Sequence, residues 1–154
     1  MRIFLFLCLL LMGCTVQAEN LSLSESDRHI METYLTNDVM KPNFGGNVYS
    51  AYEILDSNKE KGEVYLWALI EEYYVEGEKV DLGSGMSVPM VLHVKIDQGT
   101  LQILDHTLPQ DGSYYTEDVK KLFPKNTHNK IFNYSIKHIT KLSENIQNKV
   151  MADY

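Results

Sequence analysis

The stretch EVYLWALIEEYYV, residues 63–75, decides the fold of this chain. Alternate residues of an extended strand point to opposite sides, so the stretch can be divided into two faces. One face carries Val64, Leu66, Ala68 and Ile70, and the other carries Tyr65, Trp67 and Leu69. A strand that is apolar on both faces is typical of the centre of a sheet that is covered on both sides. The sequence therefore predicts a central strand between two packed layers.

Three further stretches with strand character flank this central one. NVYSAYEILD (residues 47–56) precedes it, and VPMVLHVKI (88–96) and TLQILDHTL (100–108) follow it. The polar turns SNKEKG and DQG are short, and short turns favour an antiparallel meander. The glycine-rich stretch EGEKVDLGSGMS, residues 76–87, is predicted to be a loop. We expect four antiparallel strands.

Helical patterns lie on either side of the strands. SESDRHIMETYLTND, residues 24–38, begins with Ser24 and Asp27 at the spacing of a capping box. SIKHITKLSENIQNKVMADY, residues 135–154, has apolar residues three and four apart, as in an amphipathic helix. The order of elements predicts an α+β fold with an N-terminal helix, a four-stranded antiparallel sheet and C-terminal helices. Residues 19–154 are expected to form a single domain.

The N-terminal stretch MRIFLFLCLLLMGCTVQAEN is typical of an export signal. Its apolar run of ten residues, 3–12, is too short to span a bilayer but suits a signal peptide, predicted over residues 1–18. Two cleavage patterns remain open. One is a bacterial lipobox ending at Cys14, which would carry the lipid, and the other is cleavage after Ala18. We expect an exported protein, anchored by lipid in the first case and soluble, in the periplasm or secreted, in the second.

The composition narrows the classes of partner. The chain has 14 basic and 21 acidic side chains, a net charge of -7, and two cysteines. An acidic protein is a poor match for the phosphates of nucleic acid, so no nucleic-acid partner is expected. Membrane contact is expected only through the N-terminal lipid. Cleavage before Cys14 would leave one thiol, too few for an internal disulfide or a cysteine metal site.

No catalytic or metal-binding motif stands out. The five histidines lack the HExxH spacing, although His93 and His106 would lie on adjacent strands. Glu71 and Glu72 are adjacent, so they point to opposite faces and are interpreted as exposed edge carboxylates. We assign no catalytic residue and expect neither a metal nor a cofactor.

The ten tyrosines are the more distinctive feature. Two doublets lie near predicted turns, and tyrosine suits binding surfaces because it joins a flat ring to a hydroxyl. The alternative is that one tyrosine of each doublet packs in the core while the other is merely exposed. The second doublet leads into the predicted short helix TEDVKKLF, with Thr116 as its N-cap and Pro124 at its end. The candidate binding surface consists of Tyr73, Tyr74, Asp111, Ser113, Tyr114 and Tyr115.

Two runs carry a resemblance to known sequences. GSGMSVP, residues 83–89, and DGSYYTEDVKKLFP, residues 111–124, lie within a region, 48–133, that resembles an uncharacterised extracytoplasmic domain of bacterial lipoproteins. The region is also similar to the sensor-side extension of β-lactam-responsive antirepressor membrane metallopeptidases. The peptidase zinc motif and multiple spans are missing here, so the resemblance implies an envelope domain and no protease activity.

These observations lead to one main functional hypothesis and two alternatives. The main hypothesis is a non-enzymatic binding or accessory module of the cell envelope, with an envelope protein or a glycan as partner. One alternative is a small hydrolase or isomerase that uses Asp105, His106 and Asp111 as acid and base groups. The other is an inhibitor or immunity-type protein whose acidic charge helps it approach a basic target.

Overall fold

A computed structural model describes residues 19–154, and the predicted signal peptide with Cys14 lies outside the described residues. Helix α1 (Glu25–Tyr34) continues into one π-helical turn (Leu35–Val39). Four strands follow: β1 (Asn47–Asn58), β2 (Glu63–Glu76), β3 (Lys79–Asp97) and β4 (Thr100–Thr107). After a 3₁₀ turn (Gly112–Tyr114) come α2 (Tyr115–Leu122), α3 (Lys125–Phe132) and α4 (Ile136–Asp153).

The strands form one antiparallel sheet in the order β1-β2-β3-β4. This confirms the predicted α+β fold with one N-terminal helix, a four-stranded antiparallel sheet and C-terminal helices. No helix within residues 19–154 is both long enough and apolar enough to cross a membrane.

Strand β2 is buried on both faces, as its sequence predicts. Val64, Leu66, Ala68 and Ile70 pack with Met31 and Leu35 of the α1 side in one core cluster. On the opposite face, which we call the helix-side face, α2, α3 and α4 cover the sheet. There Tyr65, Trp67 and Leu69 pack with Val119, Phe123, Ile131, Leu142, Ile146 and Val150. The molecule therefore has three layers, and β2 contributes to both cores.

The predicted loop at residues 76–87 is wrong, because most of it belongs to β3. The chain turns at Gly77, whose φ of 67° lies in the left-handed region that glycine adopts most easily. Val80 and Leu82 then pair with Val75 and Tyr73 of β2. The glycines that suggested a loop instead mark an irregularity in the strand, where the register shifts after Glu71.

The first helix begins as predicted. Ser24 and Asp27 form a capping box, in which the Ser24 hydroxyl accepts a hydrogen bond from the Asp27 backbone at 3.2 Å. One carboxylate oxygen of Asp27 completes this box, and the other accepts the backbone N–H of Leu101 at 3.1 Å. One buried side chain therefore both caps α1 and attaches it to β4.

The predicted N-cap at Thr116 is wrong, because α2 already begins at Tyr115 and its N-cap is Tyr114. The 3₁₀ turn leads directly into α2, and no side chain forms a capping hydrogen bond at the start of the helix. Asp118 instead holds the approach to α2 by accepting the backbone N–H of Gln110 at 3.0 Å.

Candidate functional site

A polar cluster gathers around Glu53 on the edge strand β1. The Lys130 ammonium donates to one carboxylate oxygen at 2.8 Å, and the Tyr134 hydroxyl donates to the other at 2.9 Å. Nδ1 of His138 lies 2.9 Å from that second oxygen. Lys130 belongs to α3, Tyr134 to the α3–α4 connection and His138 to the start of α4. The corner between α3 and α4 therefore delivers three side chains to one carboxylate.

Aromatic stacking fixes the position of Tyr134. Its ring lies on Trp67 with centroids 3.9 Å apart and planes 5° apart. Trp67 is the register partner of Glu53 on β2, and its Nε1 donates to the Ser87 hydroxyl at 2.9 Å. Because the indole is held from both sides, the Tyr134 hydroxyl is positioned over the neighbouring strand, where it meets Glu53.

The electrostatics keep Glu53 and Tyr134 each in one protonation state near neutral pH. Burial alone would raise the pKa of Glu53, but hydrogen bonds from Lys130 and Tyr134 outweigh it and hold that pKa below its ordinary value. Burial and the bond to Glu53 raise the pKa of Tyr134. Glu53 is therefore ionised and Tyr134 remains a hydrogen-bond donor.

A cleft of about 890 Å³ opens beside this cluster, and the next cavity described measures about 450 Å³. The larger volume lies in the range of small-molecule sites. Its walls combine apolar surface with charged groups from β1 and the first half of α4: Tyr52, Glu53, Lys137, His138, Lys141 and Leu142. Within residues 19–154, Lys137 and Lys141 form no ion pair, so their ammonium groups are available to a ligand.

The structure divides the predicted tyrosine surface. Tyr73 lies on the helix-side face of the sheet, edge-on to Tyr49, and its hydroxyl donates to Glu71 at 3.0 Å. Tyr74, the next strand residue, stacks on Phe44 with ring centroids 5.2 Å apart. Adjacent residues of a strand face opposite sides. The first doublet is thus split between the two faces of the sheet.

The second doublet is divided in another way. The Tyr114 side chain is 60% exposed, whereas Tyr115 is partly buried against the helix-side core and lies edge-on to Phe132. Asp111 and Ser113 are exposed in the turn that leads into α2. Each doublet therefore has a member that packs against the helix-side core, as the alternative predicted. The other member is exposed in the case of Tyr114 but half-buried in the case of Tyr74.

The acid and base groups of the hydrolase alternative do not form a catalytic pair. Nδ1 of His106 lies 2.9 Å from the Tyr34 hydroxyl of α1. Asp105 uses one carboxylate oxygen on the backbone N–H of His106 at 2.7 Å. His93 bonds Thr107 at 2.8 Å and is the register partner of Asp105. His93 and His106 therefore face opposite sides of the sheet, and residues 19–154 contain no group of three or more side chains arranged to hold a metal ion.

Glu72 is the clearest departure from the sequence interpretation, because it is fully buried and not an exposed edge carboxylate. It accepts the backbone N–H groups of Asn43, Phe44 and Gly46 at 2.7 to 3.0 Å and the Ser84 hydroxyl at 2.7 Å. Burial opposes ionisation, but these donors outweigh it and lower the pKa of Glu72 to about 2. The α1–β1 loop folds over the strand and encloses this carboxylate.

The Glu53 cluster was not predicted, although the sequence contains a weak signal for it. Lys130, Tyr134 and His138 are spaced four residues apart, which places side chains on one side of a helical segment. The helix is interrupted between α3 and α4, so the spacing alone did not indicate that all three reach one point. Their common partner, Glu53, is about 80 residues away in sequence.

Comparisons of the chain with protein-family models, with curated proteins and with solved structures find no match. No relative therefore supplies a ligand or a catalytic residue for the Glu53 cluster, and the resemblance to extracytoplasmic lipoprotein domains stays a prediction.

Proposed function

We propose that this chain is an exported, lipid-anchored protein of the cell envelope that acts as a non-enzymatic binding module. Its ligand is a small polar molecule of the envelope, of which a glycan fragment is one class, and it occupies the cleft beside Glu53 and His138. The cleft carries this proposal, because its polar cluster is assembled before any ligand arrives. Preorganised groups bind at a lower cost in conformational entropy.

The state of Glu53 favours binding over proton transfer. A general base must be free to take a proton, with a pKa near the working pH. Glu53 already accepts hydrogen bonds from Lys130 and Tyr134, and its pKa is lowered by them. Such a carboxylate orients its neighbours instead of removing a proton from a substrate. The neighbouring Lys137 and Lys141 are exposed and can meet polar or anionic groups of a ligand.

The test is a search for a bound molecule in the cleft. The purified domain is equilibrated with a small-molecule extract of the native envelope and examined by native mass spectrometry. We expect an added mass on the wild-type protein that is lost in a double variant, Lys137→Glu with Lys141→Glu. The matched control, Lys120→Glu with Lys121→Glu, reverses two exposed lysines of α2 that do not line the cleft. An added mass that survives in the cleft variant, or no added mass on the wild type, would contradict the assignment.

The lipid anchor is tested separately. Mass spectrometry of the mature N-terminus is expected to show a lipidated Cys14. A free N-terminus at Glu19 would instead make the protein a soluble exported one, without changing the prediction for the cleft.

A further inference from the structure

One edge of the sheet is open for half the length of β3. Strand β4 pairs only with residues 91–97 of β3, although β3 begins at Lys79. Strand β2 occupies the other side of β3 from Lys79 to His93. No backbone hydrogen bond from elsewhere in residues 19–154 reaches the stretch 80–90. Residues 80–88 of that stretch are exposed or partly exposed, whereas Pro89 and Met90 are buried, so the outer side of β3 is open over residues 80–88.

This edge lacks the usual protection against strand addition. Residues 82–88, LGSGMSV, carry no charge, and the nearest proline, Pro89, stands at their end. The other long edge of the sheet, on β1, is protected by a lysine. There the Lys149 ammonium reaches from α4 to bind Glu32 and the carbonyl oxygen of Ser50 at 2.7 and 2.6 Å. Natural sheets commonly block exposed edges with lysine, proline or covering helices, and the β3 edge between residues 82 and 88 has none of these.

Apolar side chains are exposed on both sides of the hairpin tip, which we define as residues 74–82. Val75 and Val80 are register partners and are 54% and 38% exposed, and Leu82 on the same face is 56% exposed. On the other face, Phe44 is 60% exposed and stacks on Tyr74. A strand added to the edge would thus find apolar surface both above and below it.

The tip is held rigidly by the buried carboxylate of Glu72. Its two oxygens join the loop at residues 43–46 to Ser84 of β3. Gly83 permits this close approach, since a Cβ there would lie 2.9 Å from the ring of Phe44 and 3.2 Å from Oε2 of Glu72. The edge and the Phe44 side of the tip therefore belong to one preorganised unit.

The charges at the tip determine the kind of partner that fits. Glu76, Glu78 and Asp81 are exposed there, with Lys79 as the single cation. A second copy of this chain would bring the same carboxylates and a net charge of -7. A basic partner would be attracted, and charge complementarity also speeds its encounter.

We propose that residues 80–88 of β3 accept an extended peptide segment rich in lysine or arginine, which adds to the sheet as a further strand. Main-chain hydrogen bonds to the open edge would supply affinity, and the exposed apolar and acidic side chains of the tip would select the sequence. This surface lies on β3, whereas the Glu53 cleft lies between β1 and α4, so the two sites are separate surfaces.

The experiment selects peptides from a random twelve-residue library on the immobilised wild-type protein. We expect enriched peptides to combine β-branched residues with lysine or arginine. Synthetic copies should bind at least tenfold more weakly to a double variant, Glu78→Lys with Asp81→Lys. The matched control, Glu60→Lys with Asp97→Lys, reverses two exposed carboxylates at the opposite end of the sheet and should bind like the wild type. A third variant, His138→Ala, alters the cleft and should also leave peptide affinity unchanged.

Strand pairing itself is tested on the wild-type protein with N-methylated peptides. A strand that pairs through one edge loses affinity when alternate amides on that edge are methylated, and it keeps affinity when the other set is methylated. We expect one set to abolish binding and the other to spare it. Equal binding by both sets, no enrichment of basic residues, or no enriched peptide at all would overturn the proposal.

Discussion

Glu72 joins two segments that are far apart in the chain. Its carboxylate accepts hydrogen bonds from three backbone amides of the α1–β1 loop and from the Ser84 hydroxyl, and it is fully buried. A buried charge is tolerated when hydrogen bonds surround it, and removing it leaves donors without an acceptor. Glu72 is therefore expected to matter far more for stability than its exposed-looking sequence context suggests.

The replacement Glu72→Gln should lower the Tm by several degrees at pH 7 and also change its dependence on pH. Ionised Glu72 has a folded pKa of about 2 against an ordinary value of 4.5. Its stabilisation is thus present above pH 4.5 and is lost as the pH falls toward 2, because the unfolded chain takes up the proton first. Thermal unfolding from pH 7 to pH 2 should show the two curves converging in acid.

The neighbouring replacement Glu71→Gln is the matched control. Glu71 is only partly buried and accepts one hydrogen bond, from the Tyr73 hydroxyl. The Tm of the Glu71→Gln variant should stay close to that of the wild type across the same pH range. Parallel Tm curves for Glu72→Gln and wild type would show that the carboxylate charge at position 72 is not what holds the loop.

The doublet Tyr114-Tyr115 is expected to separate in the same way. Tyr114→Ala removes a side chain that is 60% exposed and should change the free energy of unfolding by less than about 0.5 kcal/mol. Tyr115→Ala removes a ring packed against the helix-side core and should cost about 1–3 kcal/mol. Urea unfolding of both variants measures the difference. Equal losses in the free energy of unfolding would contradict the finding that, of the two tyrosines, only Tyr115 packs against the core.

Strand alternation correctly predicted the face on which each residue lies, but it did not predict which other segments cover that residue. It placed Glu71 and Glu72 on opposite faces of β2, as the structure shows. It could not show that residues 43–46 fold back over Glu72, because that contact joins positions 26 to 29 residues apart through a loop. The same holds for the Glu53 cluster, because the hydrogen-bond donors Lys130 and Tyr134 lie 77 and 81 residues away from Glu53 in sequence.

At the scale of elements, the spacing of apolar residues predicted those strands and helices whose faces are buried in the cores. β2 is apolar on both faces, so its sequence identified it as the central strand, and the helical spacings predicted α1 and α4. β3 was missed over residues 79–87, because glycine and serine there have weak strand preference. Pairing with β2 and the contact with Glu72 hold that segment extended, and neither is visible in its own sequence.

The attachment of α1 to β4 depends on Asp27. Replacing Asp27 by alanine removes the N-cap bond partner of Ser24 and leaves the buried Leu101 amide without its acceptor. We expect a loss of about 1–3 kcal/mol in the free energy of unfolding. Hydrogen exchange should also become faster at Leu101.

Ser24→Ala is the comparison for this prediction. It removes the cap hydroxyl but keeps the Asp27 bond to Leu101, so it should cost about 1 kcal/mol and leave exchange at Leu101 slow. Fast exchange at Leu101 in both variants would show that helix fraying, and not the Asp27 bond, controls this contact.

At the scale of the whole molecule, charge and packing join the three layers. Residues 115–154 carry seven lysines and four carboxylates, whereas residues 19–114 carry six basic and 17 acidic side chains. Two lysines of the basic helical layer bind carboxylates elsewhere: Lys130 binds Glu53 of β1, and Lys149 binds Glu32 of α1. The helical layer is therefore attracted to the remainder of the fold by its charge as well as by its core.

The two hydrophobic cores should melt together. β2 supplies side chains to both, so neither core can open without disturbing the strand that the other needs. Calorimetry of residues 19–154 is expected to give one transition with equal calorimetric and van't Hoff enthalpies. Met31→Ala on the α1 side should shift that whole transition, at a cost of about 2–5 kcal/mol. A second, unshifted transition would show that the layers unfold independently.

Trp67 gives the molecule a fluorescent reporter. It is the only tryptophan in the chain, its ring lies flat on Tyr134 of the Glu53 cluster, and its Nε1 bonds Ser87 on the open edge of β3. A ligand that moves Tyr134 and a strand that displaces the Ser87 hydroxyl would each alter the surroundings of the same indole. Emission from one native side chain can therefore follow occupancy at both sites without an attached dye.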